Sequence, residues 1–152
     1  MYTKFATEPL KGGTVEDLQE FLDSFVPRQQ AADEALHNGD AEPRKQLWSR
    51  EDPVTVLGAF GVAASGWGEV NKTFDWVAAQ FSKCESFQLE VIAAGVSGDL
   101  AYTVGYEHSR VSRDGGPARS NRLRVTHVYR REGAQWKIVH RHGDGLESER
   151  PG

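Results

Sequence analysis

A chain of 152 residues, 38% of them hydrophobic, has the length of one domain and enough apolar material for one core. Its formal charge of −4 argues against a nucleic-acid partner, because the phosphate backbone is held mainly by clustered lysine and arginine. The single cysteine, Cys84, excludes an internal disulfide and a thiolate metal site, and no apolar stretch reaches the roughly 18 residues of a membrane span. We therefore expect a cytoplasmic protein that binds neither nucleic acid nor membrane.

The first half of the sequence has the apolar spacing of helices. Thr14, followed three residues later by Asp17, predicts the N-terminal cap of a long first helix that ends at Asn38-Gly39. Pro27 is expected to kink or restart this helix. The other elements predicted in this half are a short helix beginning near Pro43, a strand at 54–57 and a helix at 67–81.

From Phe87 onward the apolar residues alternate, as is typical of strands, and short glycine-containing turns favour an antiparallel meander. Helices followed by a meander predict an α+β fold, a cone-shaped curved antiparallel sheet with helices packed on its concave face, of the cystatin-like type. We expect one domain at 14–146, between a flexible leader at 1–13 and a frayed tail at 147–152. The predicted strands are 87–96, 100–111, 119–131 and 135–142.

The turn between the last two strands decides which side chains share the inner face of the sheet. A two-residue turn gives an inner face of apolar residues and histidines and an outer face that is cationic, facing solvent or a second subunit. In the preceding strand we expect the larger set, Tyr102, Val104, Tyr106 and His108, to face the helices. The predicted inner face of the last two strands is Leu123, Val125, His127, Tyr129, Trp136, Ile138, His140 and His142, and the outer face includes Arg124, Arg130, Lys137 and Arg141.

His127 is the sharpest candidate for chemistry, because an imidazole among apolar neighbours binds protons weakly and can act as a general base. The alternative is a buried structural histidine. Asp52 is a weaker catalytic candidate, since it could equally cap the start of the first strand. Asp33 and His37 share a helix face and either reach the pocket or form an exposed pair. The expected ligand-binding residues are Trp67, Tyr102, Tyr106, His108, Val125, Tyr129, His140 and His142, with no metal.

The stretch THVYRREGAQWKIVHRHGDG, residues 126–145, resembles the terminal hairpin of the nuclear-transport-factor-2-like superfamily. It is closest to the SnoaL-like branch and to the association domain of calcium/calmodulin-dependent kinase II, with ketosteroid isomerase more distant. LWSREDPVTVLGAFG at 47–61 and SGWGEV from Ser65 resemble the upstream segments, so the resemblance covers about 14 to 144. It implies a cone with an internal pocket and a homodimer formed through the outer sheet face. It implies no single activity, because the fold supports several enzyme classes and non-catalytic domains.

Two features of those relatives are absent at the matching positions. Ketosteroid isomerase carries its general-base aspartate on the first strand, where this chain has Leu57 or Gly58, neither of which accepts a proton. The pocket arginines of the kinase association domain are matched by Val104 and His127. The usual isomerase chemistry and an arginine-lined carboxylate pocket are therefore not expected.

The combined expectation is a pocket protein that binds a small apolar, polyketide-like or steroid-like molecule. Any activity would be that of an isomerase, cyclase or hydrolase working by acid–base catalysis without a cofactor. The alternative is a non-catalytic ligand-binding or homodimerisation module with structural histidines. An acid close enough to orient His127 would favour the enzyme, whereas a cavity lined only by apolar residues and tyrosine would favour binding.

Overall fold

The computed structural model describes residues 10–146, so the predicted tail and most of the predicted leader lie outside the described residues. Within residues 10–146, three α-helices, one 3-10 turn (Ala59–Gly61) and six strands form one layer of helices against one sheet. The helices are α1 (Val15–Leu36), α2 (Glu42–Leu47) and α3 (Trp67–Ala79). The strands are β1 (Thr55–Gly58), β2 (Ala63–Ser65), β3 (Phe81–Ser97), β4 (Leu100–Arg113), β5 (Ala118–Glu132) and β6 (Gln135–Gly145).

The long first helix begins with the predicted cap. The backbone N–H of Asp17 donates to Oγ1 of Thr14 over 3.0 Å, and the Asp17 carboxylate accepts from the backbone of Thr14 over 3.2 Å. Two otherwise unpaired groups of the first turn are thus satisfied. The helix continues through Pro27 to Leu36 without a restart.

The sheet has the strand order β2-β1-β6-β5-β4-β3. The meander β3 to β6 is antiparallel, as predicted, but β1 pairs with β6 in parallel, so the sheet is mixed. The sheet is curved and unclosed, and the predicted α+β cone is confirmed. Its core lies between α1 and the concave face, where Phe21 and Phe25 each pack edge to face with Tyr129, at ring-centroid distances of 4.8 and 5.1 Å.

A β-bulge in β6 changes which side chains face the core. The turn at Gly133-Ala134 has two loop residues, as predicted, and Tyr129 pairs with Ile138. One step further the register shifts by one residue, so that His127 pairs with Arg141. An extra residue in one strand reverses the faces beyond it. The predicted inner positions of His140 and His142 and the outer position of Arg141 are therefore wrong.

The predicted inner face of β4 is also wrong. Cross-strand partners share a face, and the inner residues of β5 pair with Ala101, Thr103 and Gly105. These small residues leave room for α1 and its aromatic side chains, so residue size alone is a poor guide to the face here. Glu107 continues this buried set. The larger residues that this places on the outer face are Tyr102, Val104, Tyr106 and His108.

Candidate functional site

A cavity of about 640 Å³ lies at the open end of the cone. Its volume is within the range of small-molecule sites, which is about 300–1,000 Å³. Most of the wall is apolar, and its buried polar part consists of His37, Arg44 and Arg141. Phe60 and Arg113, whose side chains contact each other with the guanidinium 3.9 Å from the ring centroid, lie at the exposed rim. The apolar wall includes Leu36, Val56, Val62, Phe74, Val77, Phe81 and Leu123.

Arg141 and Glu107 form a closed ion pair at the inner end of the cavity. Nη1 of Arg141 donates to Oε2 of Glu107 over 2.6 Å, and Nη2 donates to Oε1 over 2.9 Å. Burial alone would raise the pKa of Glu107, but attraction and hydrogen bonds from Arg141 outweigh it and lower the pKa to about 2. Glu107 is therefore a carboxylate at neutral pH, and both its oxygens are occupied.

Arg44 and Asp33 form a second, open ion pair. Nε of Arg44, from α2, donates to Oδ1 of Asp33, from α1, over 2.9 Å. Both side chains are buried, yet Nη2 of Arg44 and Oδ2 of Asp33 have no hydrogen-bond partner among the described residues. Burial raises the pKa of Asp33, against the attraction of Arg44. Each member of this pair therefore has one atom left to bind something else.

His127 lies behind Arg141, which separates it from the cavity. The guanidinium can only donate, so Nε2 of His127, 3.2 Å from Nη1 of Arg141, accepts. Burial and then Arg141 lower the pKa of His127 well below its ordinary value, so the ring is neutral at neutral pH. Gln29 lies 3.4 Å from the ring and accepts the hydroxyl of Tyr129 over 2.6 Å. A neutral ring suits a base, but its accepting nitrogen is occupied, and the role of His127 as a base stays a prediction.

His37 is buried at the end of α1, as is Asp33, so the exposed-pair alternative for these two residues is wrong. Nδ1 of His37 lies 2.7 Å from the backbone oxygen of Asp33. Its ring packs between Phe81 and Phe87, with centroids 4.7 and 4.9 Å away. Burial lowers the pKa of His37, although the backbone hydrogen bond opposes this. His37 is thus a neutral imidazole on the cavity wall.

The outer face holds five of the predicted ligand-binding residues, so their predicted position at the cavity is wrong. There His108 contacts Glu90 over 2.8 Å, and Nδ1 of His140 lies 2.7 Å from the hydroxyl of Thr55. Cross-strand pairing fixes these faces, because a residue and its partner point to the same side. The five outer residues are Tyr102, Tyr106, His108, His140 and His142.

The other predicted site residues have structural contacts. Oδ1 of Asp52 accepts the backbone N–H of Trp67 over 2.9 Å, so Asp52 caps α3 rather than the first strand. The indole of Trp67 packs under the guanidinium of Arg50, 4.6 Å from the ring centroid. Val125 and Tyr129 face inward but lie buried in the core. Contact of Trp67, Val125 or Tyr129 with a ligand stays a prediction.

Two buried arginines, Arg44 and Arg141, nevertheless line the cavity, because they come from elements other than those of the compared positions Val104 and His127. Arg141 reaches the interior only through the bulge, and Arg44 stands in a six-residue helix. The sequence could have indicated that Glu107 faces inward, because it continues the alternating set of small inner residues along β4, Ala101, Thr103 and Gly105.

Within residues 10–146, no group of three or more histidine, cysteine or acidic side chains is arranged to hold a metal ion, and no helix is long and apolar enough to cross a bilayer.

The family model of the SnoaL-like domain matches residues 29–143. Among curated proteins no match was found. A nuclear transport factor 2-like superfamily protein from Salmonella enterica has a TM-score of 0.71 at 22% identity, covering 88% of this chain and 94% of that chain. A ketosteroid isomerase-like protein from Erwinia carotovora has a TM-score of 0.67 at 14% identity, covering 85% and 98%. A candidate calcium/calmodulin-dependent protein kinase type II association domain from Thiobacillus denitrificans has a TM-score of 0.60 at 21% identity, covering 92% and 100%.

Proposed function

This chain belongs to the SnoaL-like domain family, as the sequence resemblance predicts, and we propose that it binds a small molecule with an apolar body and an anionic end. One observation supports this most directly. The cavity of about 640 Å³ has apolar walls and two buried arginines, Arg44 and Arg141, at its inner end. Apolar walls with a few placed polar groups are typical of ligand sites.

The open ion pair supports an anionic end in particular. Nη2 of Arg44 is a buried donor without a hydrogen-bond partner among the described residues, and leaving such a donor unpaired costs about 1–3 kcal/mol. The planar guanidinium matches the geometry of a carboxylate. A ligand carboxylate at Arg44 would therefore satisfy this donor, while the apolar body would pack on residues such as Phe74 and Val77.

The test is isothermal titration calorimetry with a matched pair of probes, 2-naphthylacetate and its uncharged amide. We expect the carboxylate to bind more tightly than the amide and Arg44→Gln to weaken it by roughly tenfold or more, with little effect on the amide. Arg110→Gln, the same change at an exposed arginine, is the control. Equal binding of both probes in wild type and in Arg44→Gln would refute the anionic end.

The geometry around His127 supports binding over base catalysis. An acid orienting His127 would favour an enzyme, but Arg141 stands between His127 and Glu107 and contacts both. A base whose accepting nitrogen is already bonded can take a substrate proton only after Arg141 moves. Cofactor-free isomerase, cyclase or hydrolase activity stays a prediction.

The alternative function, homodimerisation, is supported by the outer face of the sheet. Ile92 and Val104 are 44% and 37% exposed there, beside charges of both signs from Arg124 and Asp144. A face that carries both positive and negative charges can pair with the same face of a second copy across a two-fold axis. Light scattering should then give a dimer for wild type and a monomer for Ile92→Asp, whereas Trp76→Gln, on α3, stays dimeric. A monomeric wild type at micromolar concentration would reject the dimer.

A further inference from the structure

The buried charges at the inner end of the cavity are balanced. We define the arginine–acid cluster as Asp33, Arg44, Glu107 and Arg141, all of them buried. With both acids ionised, two positive charges face two negative charges. The other titratable groups that face the cluster are neutral at pH 7, because burial lowers the pKa of His37 and His127 and raises that of Tyr129.

An anionic ligand disturbs this balance. Its carboxylate would be a third negative charge beside two arginines whose side chains are buried. An uncompensated buried charge costs several kcal/mol, and a titratable neighbour usually changes its protonation instead. One group of the cluster should therefore take up a proton when the ligand binds.

We infer that an anion that docks on Arg44 enters together with one proton, which is held on Oδ2 of Asp33. This rests on the proposed function, because it needs an anionic ligand in the cavity. The geometry selects Asp33, since its Oδ2 has no partner among the described residues and is free to carry the proton. Oδ1 remains the acceptor for Nε of Arg44, 2.9 Å away, so the hydrogen bond survives although the ion pair is neutralised.

The other groups of the site are poorer proton acceptors. Both oxygens of Glu107 accept from Arg141, which lowers the pKa of Glu107 to about 2. Nε2 of His127 already accepts from Arg141. His37 is the nearest competitor because it lines the cavity, but its ring is packed between two phenylalanines and burial lowers its pKa.

Proton uptake by Asp33 determines how the affinity for a carboxylate changes with pH. Burial already raises the pKa of Asp33 in the free protein, and a neighbouring ligand carboxylate raises it further. Between these two pKa values each rise of one pH unit should weaken carboxylate binding by up to about tenfold. An uncharged ligand adds no charge, so its affinity should not change over the same range.

The experiment is calorimetry of 2-naphthylacetate at pH 7.0 in phosphate and in Tris, whose different ionisation enthalpies give the number of protons taken up. We expect roughly 0.5–1 proton for wild type and none for its amide. Asp33→Asn mimics the protonated acid and keeps an oxygen for Nε of Arg44, so it should take up none and bind the carboxylate equally at pH 6 and pH 8. Glu34→Gln, the exposed neighbour on α1, is the control and should behave as wild type.

The outcomes separate the two proposals. Carboxylate binding without proton uptake in wild type would overturn the inference and leave the anion site standing. Uptake that persists in Asp33→Asn but disappears in His37→Gln would also overturn it, by moving the proton to His37. Failure of both probes to bind any variant would reject the proposed function itself, and the inference with it.

Discussion

The pH dependence of stability should depend strongly on Glu107. Its pKa in the folded protein, about 2, is depressed from an ordinary 4.5, so its pairing with Arg141 stabilises the fold above pH 4.5 and is lost as the pH falls towards 2. This difference corresponds to about 3 kcal/mol, at about 1.4 kcal/mol for each pH unit. Glu107→Gln keeps the shape and one acceptor oxygen but removes the charge, so it should lower the free energy of unfolding at pH 7 by about 3 kcal/mol.

Urea unfolding at pH 7.0, 4.5, 3.5 and 2.5 measures this prediction. Wild type should lose stability steeply below pH 4.5, and Glu107→Gln should lose about 3 kcal/mol less over the same range. Glu85→Gln is the control, because the exposed pair of Glu85 with Arg110 should contribute at most about 1 kcal/mol. Parallel pH curves for wild type and Glu107→Gln would refute the assignment of Glu107 as a paired, buried carboxylate.

The ionisation of Asp33 changes the pH dependence of stability in the direction opposite to that of Glu107, so the two contributions must be measured separately. Its pKa is raised by burial, so its ionisation costs stability as the pH rises through its folded pKa. Glu107 itself helps to raise the pKa of Asp33, so removing Glu107 also changes Asp33. Repeating the comparison in the Asp33→Asn background removes this coupling, and the steep acid loss should remain attached to Glu107.

Three further predictions follow from single contacts. Tyr129→Phe removes the hydroxyl bonded to Gln29 and should lower the free energy of unfolding by about 1–3 kcal/mol in urea, whereas the outer-face change Tyr102→Phe should be nearly neutral. Asp52→Ala should cost about 1 kcal/mol in thermal unfolding through the lost cap of α3, and Asp52→Asn much less; equal losses would argue against the cap. The NMR signals of His127 should show a ring that is still neutral at the ordinary histidine pKa of 6.5, and titration at that pKa would contradict its burial beside Arg141.

The elements and the layered fold could be predicted because each depends on local pattern. The cap at Thr14 and Asp17, the helical spacing after it and the alternation from Phe87 all appear in the structure. Two residues of the candidate site were not predicted in this way, because the inward position of Arg141 depends on one register shift near Val139 and that of Glu107 on the small-residue face of β4. No turn residue or glycine marks this bulge in the sequence, and it exchanges the faces of every residue beyond it. His140 and His142 consequently lie outside and Arg141 lies inside, whereas His127 on β5 lies inside as predicted.

Two local features of β6 allow an arginine to occupy the inside of the cone. The bulge turns Arg141 inward, and Gly143, two residues later on the same face, leaves space beside it. A Cβ at Gly143 would lie 3.0 Å from Nη2 of Arg141 and 3.1 Å from a methyl group of Val125. Nη2 is one of the two atoms that donate to Glu107, so a side chain at 143 would press on the closed ion pair. The register shift therefore turns Arg141 inward and Gly143 leaves space for its guanidinium, so the part of the polar end that Arg141 supplies depends on the local structure of β6, whereas His37 and Arg44 come from the helices.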